Sequence, residues 1–558
     1  MNGSSPVIHD TLPLVEPTGF LNYLSQKPQS LLWGLVASYV VYILLKAANT
    51  SRKGKLPPGP KGVPLFGNLF QLSKDAWVTF AEWKHQYGPL VYMSVAGQNM
   101  VVMNTHKVAA DLLDRRAAVY SDRPRLVVAS EILTGSLLIP FTGYTDVWRR
   151  MRRASHEGLN NSFARNYYPS QQKEAVLLVQ GMLRDSNNWD DELKRAACSM
   201  ILGVVYDKPT IDSCHDGRVT YVNDFIARIV RAAFPGAHYA EYFTWMKYLP
   251  TSIAKWKRDA LDWYNKDTVY FGEMYEEVKD RIRNGDERHS FASTLIHDER
   301  QLGLSEDESV WLAATIYATG GETTSTVMAW FMLAMVTHPE IQKKAQEELD
   351  AVIGRDRMPT FADRDSLPYV QACVRESLRW KTVAPIGVPH QSVEDDWYEG
   401  HFIPKGTICI PNQWAMNKDP DVYGPDAEEF NPGRHIDKDG NLYCPFEDTH
   451  DGHVGFVSLF SCCSSTRRLL TLQTQGFGRR ICVGRHVANN SLFIDIASLL
   501  WATTIEPIKD AQGKPIMPDT EGFINDGLVL RPLPFKCSVK PRFAEVENIV
   551  SQTRESEL

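Results

Sequence analysis

A cysteine among glycines and arginines is the part of this sequence best suited to chemistry. Cys482 lies in the stretch 474–484, just before the run 485–501, which predicts a helix. At such a junction a thiol faces unpaired backbone N–H groups and the positive end of the helix, which lower its pKa and favour the thiolate. The glycines keep side chains away from a flat ligand, and Arg480 can pair with an acidic group on that ligand. The stretch therefore predicts a thiolate site for a metal in a flat, acidic cofactor.

Haem meets both demands, because its iron takes a thiolate and its propionates take an arginine. The alternative is a structural cysteine beside a basic loop, since free cysteine is among the most buried residue types. The stretch resembles the haem-binding loop of the cytochrome P450 family, Phe-x-x-Gly-x-Arg-x-Cys-x-Gly. This resemblance implies haem b, with Cys482 as the axial ligand of the iron.

One position departs from that pattern. Gln475 stands where the family has phenylalanine, and it ends a stretch rich in Ser, Cys, Leu and Thr, residues 457–475. Removing these 19 residues (475 − 457 + 1) would join Phe456 to Gly476 and complete the pattern. Val-Ser at its start and Gln at its end can be encoded by intron-border sequences. We therefore interpret 457–475 as a retained or mispredicted intron, with a genuine surface insertion as the alternative.

A second candidate site lies in a long predicted helix. Ser305-x-x-Glu is a capping box, and no proline interrupts the apolar segment that follows it for about 30 residues. Within this segment, Gly320 and Gly321 each cost about 1 kcal/mol relative to alanine, which indicates a compensating role. We expect the glycines to let a flat cofactor and a small gas molecule approach the backbone, and Glu322 and Thr323 to relay protons. The alternative is a kink whose threonine hydroxyls bond back to the preceding turn.

Three further motifs follow the order of the family. Residues 318–325 resemble its oxygen-activating helix, with Thr319 in the place of alanine or glycine. Glu376 and Arg379 share one helix face and resemble its Glu-x-x-Arg pair, and Arg434 lies in a stretch that resembles its meander motif. The resemblance implies that these three charged residues form a buried structural network, which tolerates poorly the loss of any member.

Other residues are expected to hold the cofactor. Trp148 and Arg152, four residues apart, resemble the helix pair of the family that reaches a haem propionate. A solvated basic helix face is the alternative, because this segment is rich in arginine. His390 matches a position where the family often has a propionate-binding side chain, although a lone histidine is also commonly structural. With Arg480 and Gly320, these are the expected haem contacts.

The composition indicates a large globular protein. The chain has 558 residues, 43% of them hydrophobic and 23% charged, so a large buried core is feasible. The net charge of −7 gives no reason to expect a nucleic acid partner. The nine cysteines are scattered and form neither a disulfide framework nor a zinc pattern, which favours a reducing, cytosol-facing compartment.

The N-terminal region predicts a single-pass membrane anchor. Residues 31–48 are mostly apolar, and a span needs roughly 17 to 25 residues. The basic residues that follow, Arg52, Lys53 and Lys55, are expected to stay in the cytosol by the positive-inside rule. A cleaved signal peptide is the alternative, although it would need its basic residues before the apolar run. The sequence predicts a lumenal tail at 1–30, an anchor at 31–48, a basic and proline-rich hinge at 49–64, a catalytic domain at 65–541 and a C-terminal tail at 542–558.

The resemblance covers residue 31 to about residue 540. It implies a mainly helical haem-thiolate fold with a smaller β portion near 60–105 and 383–412, where 91–95 and 100–103 read as strands. It also implies a monooxygenase of the fungal, membrane-anchored, secondary-metabolism type. Such an enzyme uses O2 and electrons from NADPH through a flavoprotein reductase, with Glu322 and Thr323 delivering protons.

The substrate and setting are expectations of the same resemblance. A lipophilic terpenoid or polyketide is expected, with the apolar Ala314, Val383 and Ile386 next to the haem motifs as pocket residues. The expected setting is the endoplasmic reticulum, in contact with membrane lipid and with the catalytic domain in the cytosol. An acidic electron donor is expected to bind a basic face of four arginines: Arg149, Arg150, Arg153 and Arg479.

Two other functions stay open at this point. A haem-thiolate isomerase or dehydratase would rearrange an oxygenated substrate without a reductase, and Glu322 and Thr323 argue against it. A non-enzymatic haem-binding membrane protein, inactivated by the insertion next to Cys482, is the other.

Overall fold

The computed structural model describes residues 53–234, 236–286, 288–443, 475–525, 527 and 529–557, with Ser38 and Val41. The predicted anchor at 31–48 lies outside these residues apart from Ser38 and Val41. The stretch 457–475 lies outside them apart from Gln475. Within the described part of the chain, no helix is long and apolar enough to cross a membrane.

The fold is mainly helical, which confirms the prediction. The α-helices of the described residues are α1 (Ala76–Tyr87), α2 (His106–Ala109), α3 (Ala117–Tyr120), α4 (Asp146–Leu159), α5 (Tyr168–Arg184), α6 (Trp189–Tyr206), α7 (Gly217–Ala233), α8 (Lys255–Arg283), α9 (Phe291–His297), α10 (Glu299–Leu302), α11 (Glu306–Thr337), α12 (Pro339–Val352), α13 (Pro368–Trp380), α14 (Gln413–Asn417), α15 (Pro420–Tyr423), α16 (Arg485–Ala502) and α17 (Val546–Glu557). Short 3-10 or π turns lie at Leu69–Gln71, Ala110–Arg115, Val127–Ile132, Phe163–Tyr167, Ser186–Asn188, Tyr239–Glu241, Thr244–Tyr248, Phe361–Ser366, Pro432–His435 and Gly478–Arg480.

The β portion is small and lies mostly where it was predicted. The strands are β1 (Leu90–Val95), β2 (Gln98–Met103), β3 (His390–Gln391), β4 (Asp396–Tyr398), β5 (His401–Ile403), β6 (Ile408–Pro411), β7 (Thr503–Pro507), β8 (Phe523–Asn525), β9 (Leu530–Pro532) and β10 (Cys537–Pro541). Four of them form a sheet of order β1-β2-β6-β3, in which β2 and β6 are parallel and the other pairs antiparallel. Strands β7–β10, near the C-terminus, were not predicted.

The β1–β2 hairpin shows how local sequence sets this sheet. Ala96 and Gly97 connect the strands, and both have positive φ, 48° and 80°. Positive φ at both central positions belongs to the turn whose twist matches that of paired strands. The register follows from this short connection, with Val95 opposite Gln98 and Leu90 opposite Met103.

The long helix α11 runs through both main parts of the core. Its capping box is formed, since the Ser305 Oγ accepts from the Glu308 N–H at 3.2 Å and the Glu308 carboxylate accepts from the Ser305 N–H at 3.1 Å. Its first half packs in one apolar cluster around Trp311, and its second half packs in another around Trp330 and Trp501. With 32 residues the helix is about 48 Å long, so it links the two clusters.

Candidate active site

The predicted thiolate loop lies between the Gly478–Arg480 turn and the start of α16. Phe477 anchors it, because its ring is buried in an apolar cluster with Leu112 and Leu113. Gly478 has a φ of +55°, and a Cβ at this position would clash with the Leu113 carbonyl oxygen. Glycine is required there by backbone packing. The predicted reason, space for a flat ligand, is therefore wrong for Gly478.

Cys482 presents its thiol at the N-terminal end of α16. Its N–H donates to the Gln475 carbonyl at 2.8 Å, and its side chain is exposed. Loss of water around the sulfur nevertheless raises the pKa of the thiol. The N–H groups of Gly484 and Arg485 and the charge of Arg152 oppose that rise without reversing it. The predicted low pKa is wrong for the thiol on its own, and a bound metal cation is what removes the proton from such a ligand.

Arg480 is the centre of a buried basic cluster beside this loop. Its Nε donates to the Ser121 carbonyl at 2.7 Å, and its Nη1 donates to the Ile139 carbonyl at 3.4 Å. Its Nη2 is buried and has no hydrogen-bond partner among the residues described. A buried donor left without a partner costs free energy. This nitrogen is therefore able to donate to an acceptor on a ligand bound beside the loop.

Three more basic side chains lie within electrostatic range of Arg480. Burial is the main cause that lowers the pKa of Arg480 to about 9 and that of Arg152 to about 10. Burial likewise lowers the pKa of Arg123 and of His390, and the mutual repulsion of these groups with Arg480 adds to it. Asp122 is the acid that opposes the shifts of Arg123 and Arg480. Four basic groups that repel one another fit a dianionic ligand, and the two propionates of haem supply that charge.

Arg123 is a member of this cluster that the sequence did not indicate. Its guanidinium donates to the carbonyls of Pro140, Val388 and Pro389 at 2.9, 2.6 and 2.9 Å. His390 follows Pro389 in the chain, and its ring Nδ1 donates to the Tyr120 carbonyl at 2.7 Å. Arg123 thus joins the segment before β3 to a distant loop. No motif or spacing around Arg123 in the sequence predicts this contact.

Trp148 and Arg152 share one face of α4, as their spacing predicted. Trp148 is buried and Arg152 is half-buried, so the solvated basic face does not describe these two residues. The indole N–H of Trp148 donates to the Ile139 carbonyl at 3.2 Å, so its contact with a propionate stays a prediction. Its ring has a role that the sequence did not indicate, because the Arg480 guanidinium lies 4.0 Å from the ring centroid. Arg152 lies within electrostatic range of the Cys482 sulfur.

The motif on α11 forms an open window in a helix that is otherwise buried from Glu308 to Val336. Thr319 and Thr323 are exposed, and Gly320 and Glu322 between them are half-buried. The Thr323 hydroxyl donates to the Thr319 carbonyl at 3.0 Å, which is the back-bond of the alternative interpretation. A hydroxyl that donates one hydrogen bond keeps its lone pairs for accepting another. Thr323 is therefore both back-bonded and available to a ligand on the open side.

The two glycines of the motif have a packing role that was not predicted. A Cβ at Gly320 would lie 2.6 Å from the Ile201 side chain, and one at Gly321 would lie 2.8 Å from the Cys198 sulfur. Both contacts are on α6, so the glycines let α6 and α11 cross closely, and this offsets their cost in the helix. Gly320 was expected to let the cofactor approach the backbone. The structure instead shows that a side chain at this position would meet α6.

The three predicted pocket residues are not brought together. Ala314 is 1% exposed in the core cluster of α11. It lies five residues before Thr319, about 140° around the helix from the open window, so it is wrong as a pocket residue. Val383 and Ile386 are half-buried and pack against two different clusters. They stay predictions.

The structure brings the three members of the predicted charge network together. Arg379 donates to both carboxylate oxygens of Glu376, at 2.6 and 2.8 Å, and neither side chain is exposed. Arg434 Nε donates to Glu376 Oε1 at 3.1 Å. Arg379 also donates to the carbonyls of Asn417 and Ala427, each at 2.6 Å. The network thus fastens α13 to the segment that precedes the thiolate loop.

His435 is a fourth member of the network that no sequence motif indicated, although it stands next to Arg434. Its Nε2 lies 2.9 Å from Glu376 Oε2, and its ring is buried. Burial alone would raise the pKa of Glu376. The hydrogen bonds from Arg379 and His435 outweigh burial and lower this pKa to about 2. The carboxylate is therefore ionised at neutral pH.

The predicted basic face is smaller than expected. Arg150 Nη2 donates to the Glu308 carboxylate at 2.6 Å, so its charge is already paired. Arg149, Arg153 and Arg479 are exposed. Arg479 Nη1 donates to the Tyr144 hydroxyl at 2.6 Å. Arg149 is paired with the Asp146 carboxylate, so among the residues described the exposed positive charge without an acidic partner comes from Arg153 and Arg479.

Known proteins resemble this chain over almost its whole length. The family model of cytochrome P450 matches residues 57–539. A cytochrome P450 monooxygenase of Armillaria gallica is 53% identical over 525 residues, which cover 94% of this chain and 97% of the relative. The cytochrome P450 monooxygenase iboC of Amanita muscaria is 43% identical, over 91% of this chain and 95% of the iboC chain. The cytochrome P450 monooxygenase claR of Ampulloclitocybe clavipes is 34% identical, covering 95% and 96%.

The fold also matches a solved structure. A zebra fish cytochrome P450, determined with abiraterone, superposes with a TM-score of 0.64 at 24% identity, covering 84% of this chain and all of that chain. The cofactor is thus haem with an axial cysteine, and the orphan nitrogen and basic cluster of this chain fit it. The protein is a monooxygenase. By the family model and by identity over most of its length, the chain belongs to the cytochrome P450 family.

Proposed function

We propose that this protein oxidises a lipophilic terpenoid or polyketide in fungal secondary metabolism, by hydroxylation or a related oxidation. It uses O2 and electrons that an NADPH-dependent flavoprotein reductase supplies. The fungal monooxygenases iboC and claR, which match nearly the whole chain, support this setting. The observation that carries the reaction type is the open window on α11, where an acid and an alcohol are accessible in an otherwise buried helix.

Residues of this chain divide the work between holding the cofactor and moving protons. When bound, the haem supplies the iron at which O2 is reduced and a substrate C–H bond is oxidised. Cys482 would hold the iron through its sulfur, and Arg480 would bind a propionate through the Nη2 that has no other described partner. The Glu322 carboxyl group can exchange protons, and the Thr323 hydroxyl can accept one hydrogen bond while donating another. We expect these two groups to pass protons to a ligand bound at the open side of α11.

A threonine pair gives the experiment a matched control. Thr323 is exposed and donates to a backbone carbonyl at 3.0 Å, whereas Thr324 is buried and makes the same bond at 2.9 Å. Thr323→Ala and Thr324→Ala therefore remove the same local bond, but only the first removes an accessible hydroxyl. With a reductase and a converted substrate, we expect Thr323→Ala to divert NADPH into hydrogen peroxide and Thr324→Ala to keep its coupling.

Coupling is measured as product formed per NADPH oxidised, with peroxide determined in parallel. Unchanged coupling in Thr323→Ala would contradict the proton-relay role of this residue. Incorporation of one labelled oxygen atom from O2 into the product, dependent on NADPH, supports a monooxygenation. Turnover of the substrate without NADPH would instead indicate a haem-thiolate isomerase or dehydratase.

We propose that the protein is anchored in the endoplasmic reticulum membrane by residues 31–48, with its catalytic domain in the cytosol. The apolar run and the basic residues after it support this placement. Exposed aromatic side chains between α7 and α8 add support, since Tyr239, Trp245 and Tyr248 are 76%, 61% and 81% exposed. Large exposed apolar groups mark contacts with a membrane or partner, and Tyr and Trp favour the lipid interface.

Membrane association is tested by alkaline extraction of microsomes and by protease protection. We expect the full chain to stay with the membrane and its catalytic domain to be digested from outside. Release of the full chain by alkaline carbonate would contradict the anchor. Glycosylation at Asn2, which lies in the proposed lumenal tail, gives an independent readout of topology.

We also propose that residues 457–475 are a retained or mispredicted intron. Removing them completes the haem-loop pattern by joining Phe456 to Gly476. Sequencing of mature transcripts tests this directly. Transcripts that all carry the stretch would contradict it and make the stretch a genuine insertion.

A further inference from the structure

The loop between α6 and α7 runs back along α6 toward the N-terminal end of that helix. Two buried hydrogen bonds fix the loop at Ile211, whose N–H donates to Ser199 Oγ at 3.1 Å and whose carbonyl accepts from Arg195 Nη1 at 3.0 Å. Ser199 and Arg195 lie one turn apart on one face of α6. The next residue on that face is Asp191, in the first turn of the helix. The loop residues that meet it are Cys214 and His215.

These three residues bring together a carboxylate oxygen, a thiol sulfur and an imidazole nitrogen, all within 4.8 Å of one another. Among the residues that the structure describes, these are the His, Cys, Asp and Glu side chains that come close enough together, in a group of three or more, to share a metal ion. We propose that Asp191, Cys214 and His215 bind a zinc ion. The ion would join the loop to the first turn of α6, and it is separate from the haem site.

The donor set fits zinc better than other common ions. Zinc takes sulfur at about 2.3 Å, nitrogen at about 2.0 to 2.1 Å and carboxylate oxygen at about 2.0 to 2.2 Å, in a tetrahedral arrangement. Donor atoms around it are then about 3.5 Å apart, so two donors at the 4.8 Å limit would need to approach by little more than about an ångström. Magnesium and calcium prefer oxygen ligands alone, and a thiol in the set disfavours them.

The side chains have the freedom to close on an ion. Asp191 and Cys214 are half-buried and His215 is exposed, so rotations of their side chains meet little packing resistance. The backbone of the loop is held three residues earlier by the buried bonds at Ile211. The exposed side of the group leaves room for water as a fourth ligand. Three protein ligands and one water form a common zinc arrangement.

The charges at this place also balance. The positive end of a helix disfavours a cation, but a thiolate and a carboxylate together carry two negative charges and neutralise the charge of zinc. Lys194 is the competing cation, and its ammonium lies 3.4 Å from the Asp191 carboxylate. It lies closer to Asp190, at 2.7 Å. Lys194 therefore keeps a partner when a metal ion takes Asp191.

Protection of Cys214 from alkylation tests the site on the full-length haem-loaded protein. The protein is treated with a chelator, titrated with zinc sulfate and exposed to iodoacetamide under native conditions, and the labelled Cys214 peptide is quantified by mass spectrometry. We expect one equivalent of zinc to slow the labelling of Cys214, and magnesium sulfate to leave it unchanged. Zinc content after gel filtration, measured by elemental analysis, should be one ion per chain.

Variants separate a built site from chance binding to one thiol. Asp191→Asn and His215→Gln should each abolish the protection of Cys214, while His289→Gln, at an exposed histidine elsewhere, should keep it. The reduced CO spectrum of each variant reports an intact fold. Labelling of Cys214 at the same rate with and without zinc would overturn the proposal. Equal protection in the wild-type protein and in both ligand variants would overturn it as well, because it would show an adventitious ion on the cysteine only.

Discussion

Replacing Glu376 by glutamine tests the charge network that supports the thiolate loop. The carboxylate is unexposed and accepts hydrogen bonds from Arg379, Arg434 and His435. Its pKa falls from an ordinary 4.5 to about 2 in the folded protein. That difference corresponds to about 3 kcal/mol of stability at neutral pH. Breaking a buried ion pair by removing one partner costs about 3 to 5 kcal/mol, which is a loss of similar size.

The effect has a defined dependence on pH. Because folding lowers the pKa of Glu376, its contribution to stability is fully present above pH 4.5 and is lost as the pH falls toward 2. The difference in unfolding free energy between wild type and Glu376→Gln should therefore be largest at neutral pH. It should shrink as the pH is lowered below 4.5.

Denaturation by guanidinium chloride, followed by tryptophan fluorescence, measures this difference. Glu399→Gln is the matched control, because Glu399 pairs with Lys107 at 2.9 Å while both side chains are 55% exposed. Such a surface pair contributes at most about 1 kcal/mol. If Glu376→Gln lowered stability by no more than this control, the reasoning about the network would be refuted. A difference that stayed constant from pH 7 to pH 3 would refute the assigned cause.

Three further changes test other parts of the site. Arg480→Gln removes the guanidinium that is expected to bind a haem propionate, so we expect faster haem transfer to apomyoglobin. The lost charge is buried and repelled by Arg152, so we expect no loss of thermal stability in the apoprotein. Arg153→Glu, on the exposed basic face, should slow reduction by the reductase in stopped-flow measurements and weaken its salt dependence, whereas Arg231→Glu on α7 should not. Gly320→Ala places a Cβ 2.6 Å from Ile201 and should cost about 1 to 3 kcal/mol in thermal denaturation. Ile201→Ala removes that clash, so the double variant should cost less than the sum of the two single changes.

Each of these expectations has a result that would contradict it. Unchanged haem transfer in Arg480→Gln would remove this arginine from the propionate site. Equal reduction rates in Arg153→Glu and in the wild-type protein would move the reductase surface elsewhere. Strictly additive free-energy changes for the two packing variants would show that Gly320 is not required by the crossing of α6 and α11.

Local signals in the sequence predicted the elements that local rules control. The capping box at Ser305 marked the start of α11, and the run after Cys482 marked α16, because capping and helical periodicity are properties of neighbouring residues. The valine-rich strands β1 and β2 were predicted for the same reason. The pairing of β2 with β6 was not, since parallel pairing joins segments about 300 residues apart through tertiary packing.

The candidate site was predicted best where a motif fixed both residue type and spacing. Glu376, Arg379 and Arg434 come together as the motifs implied. Ala314 failed because an apolar residue near a motif can point to either side of a helix, and here it points into the core. The expected low pKa of Cys482 was wrong because loss of water around the sulfur, which the sequence does not report, exceeds the effect of the helix end.

Residues that were missed lie where distant segments meet. Arg123 and His435 join the site through folding, and no spacing in the sequence connects them to Cys482 or Glu376. The group of Asp191, Cys214 and His215 shows the same point. The cysteine spacing gave no zinc pattern, because one of these side chains lies on α6 and the other two lie on the loop that returns along it.

The central claim is that Cys482 is the axial ligand of haem iron. The absorption spectrum of the dithionite-reduced, CO-bound protein tests it most directly, on the full chain, on a chain lacking 457–475 and on Cys482→Ala in each. We predict a thiolate-type band in the shortened chain and its loss in the alanine variant; the same band in the full chain would make the stretch a tolerated loop. A thiolate-type band that survives Cys482→Ala, or its absence from both chains that keep Cys482, would contradict the claim.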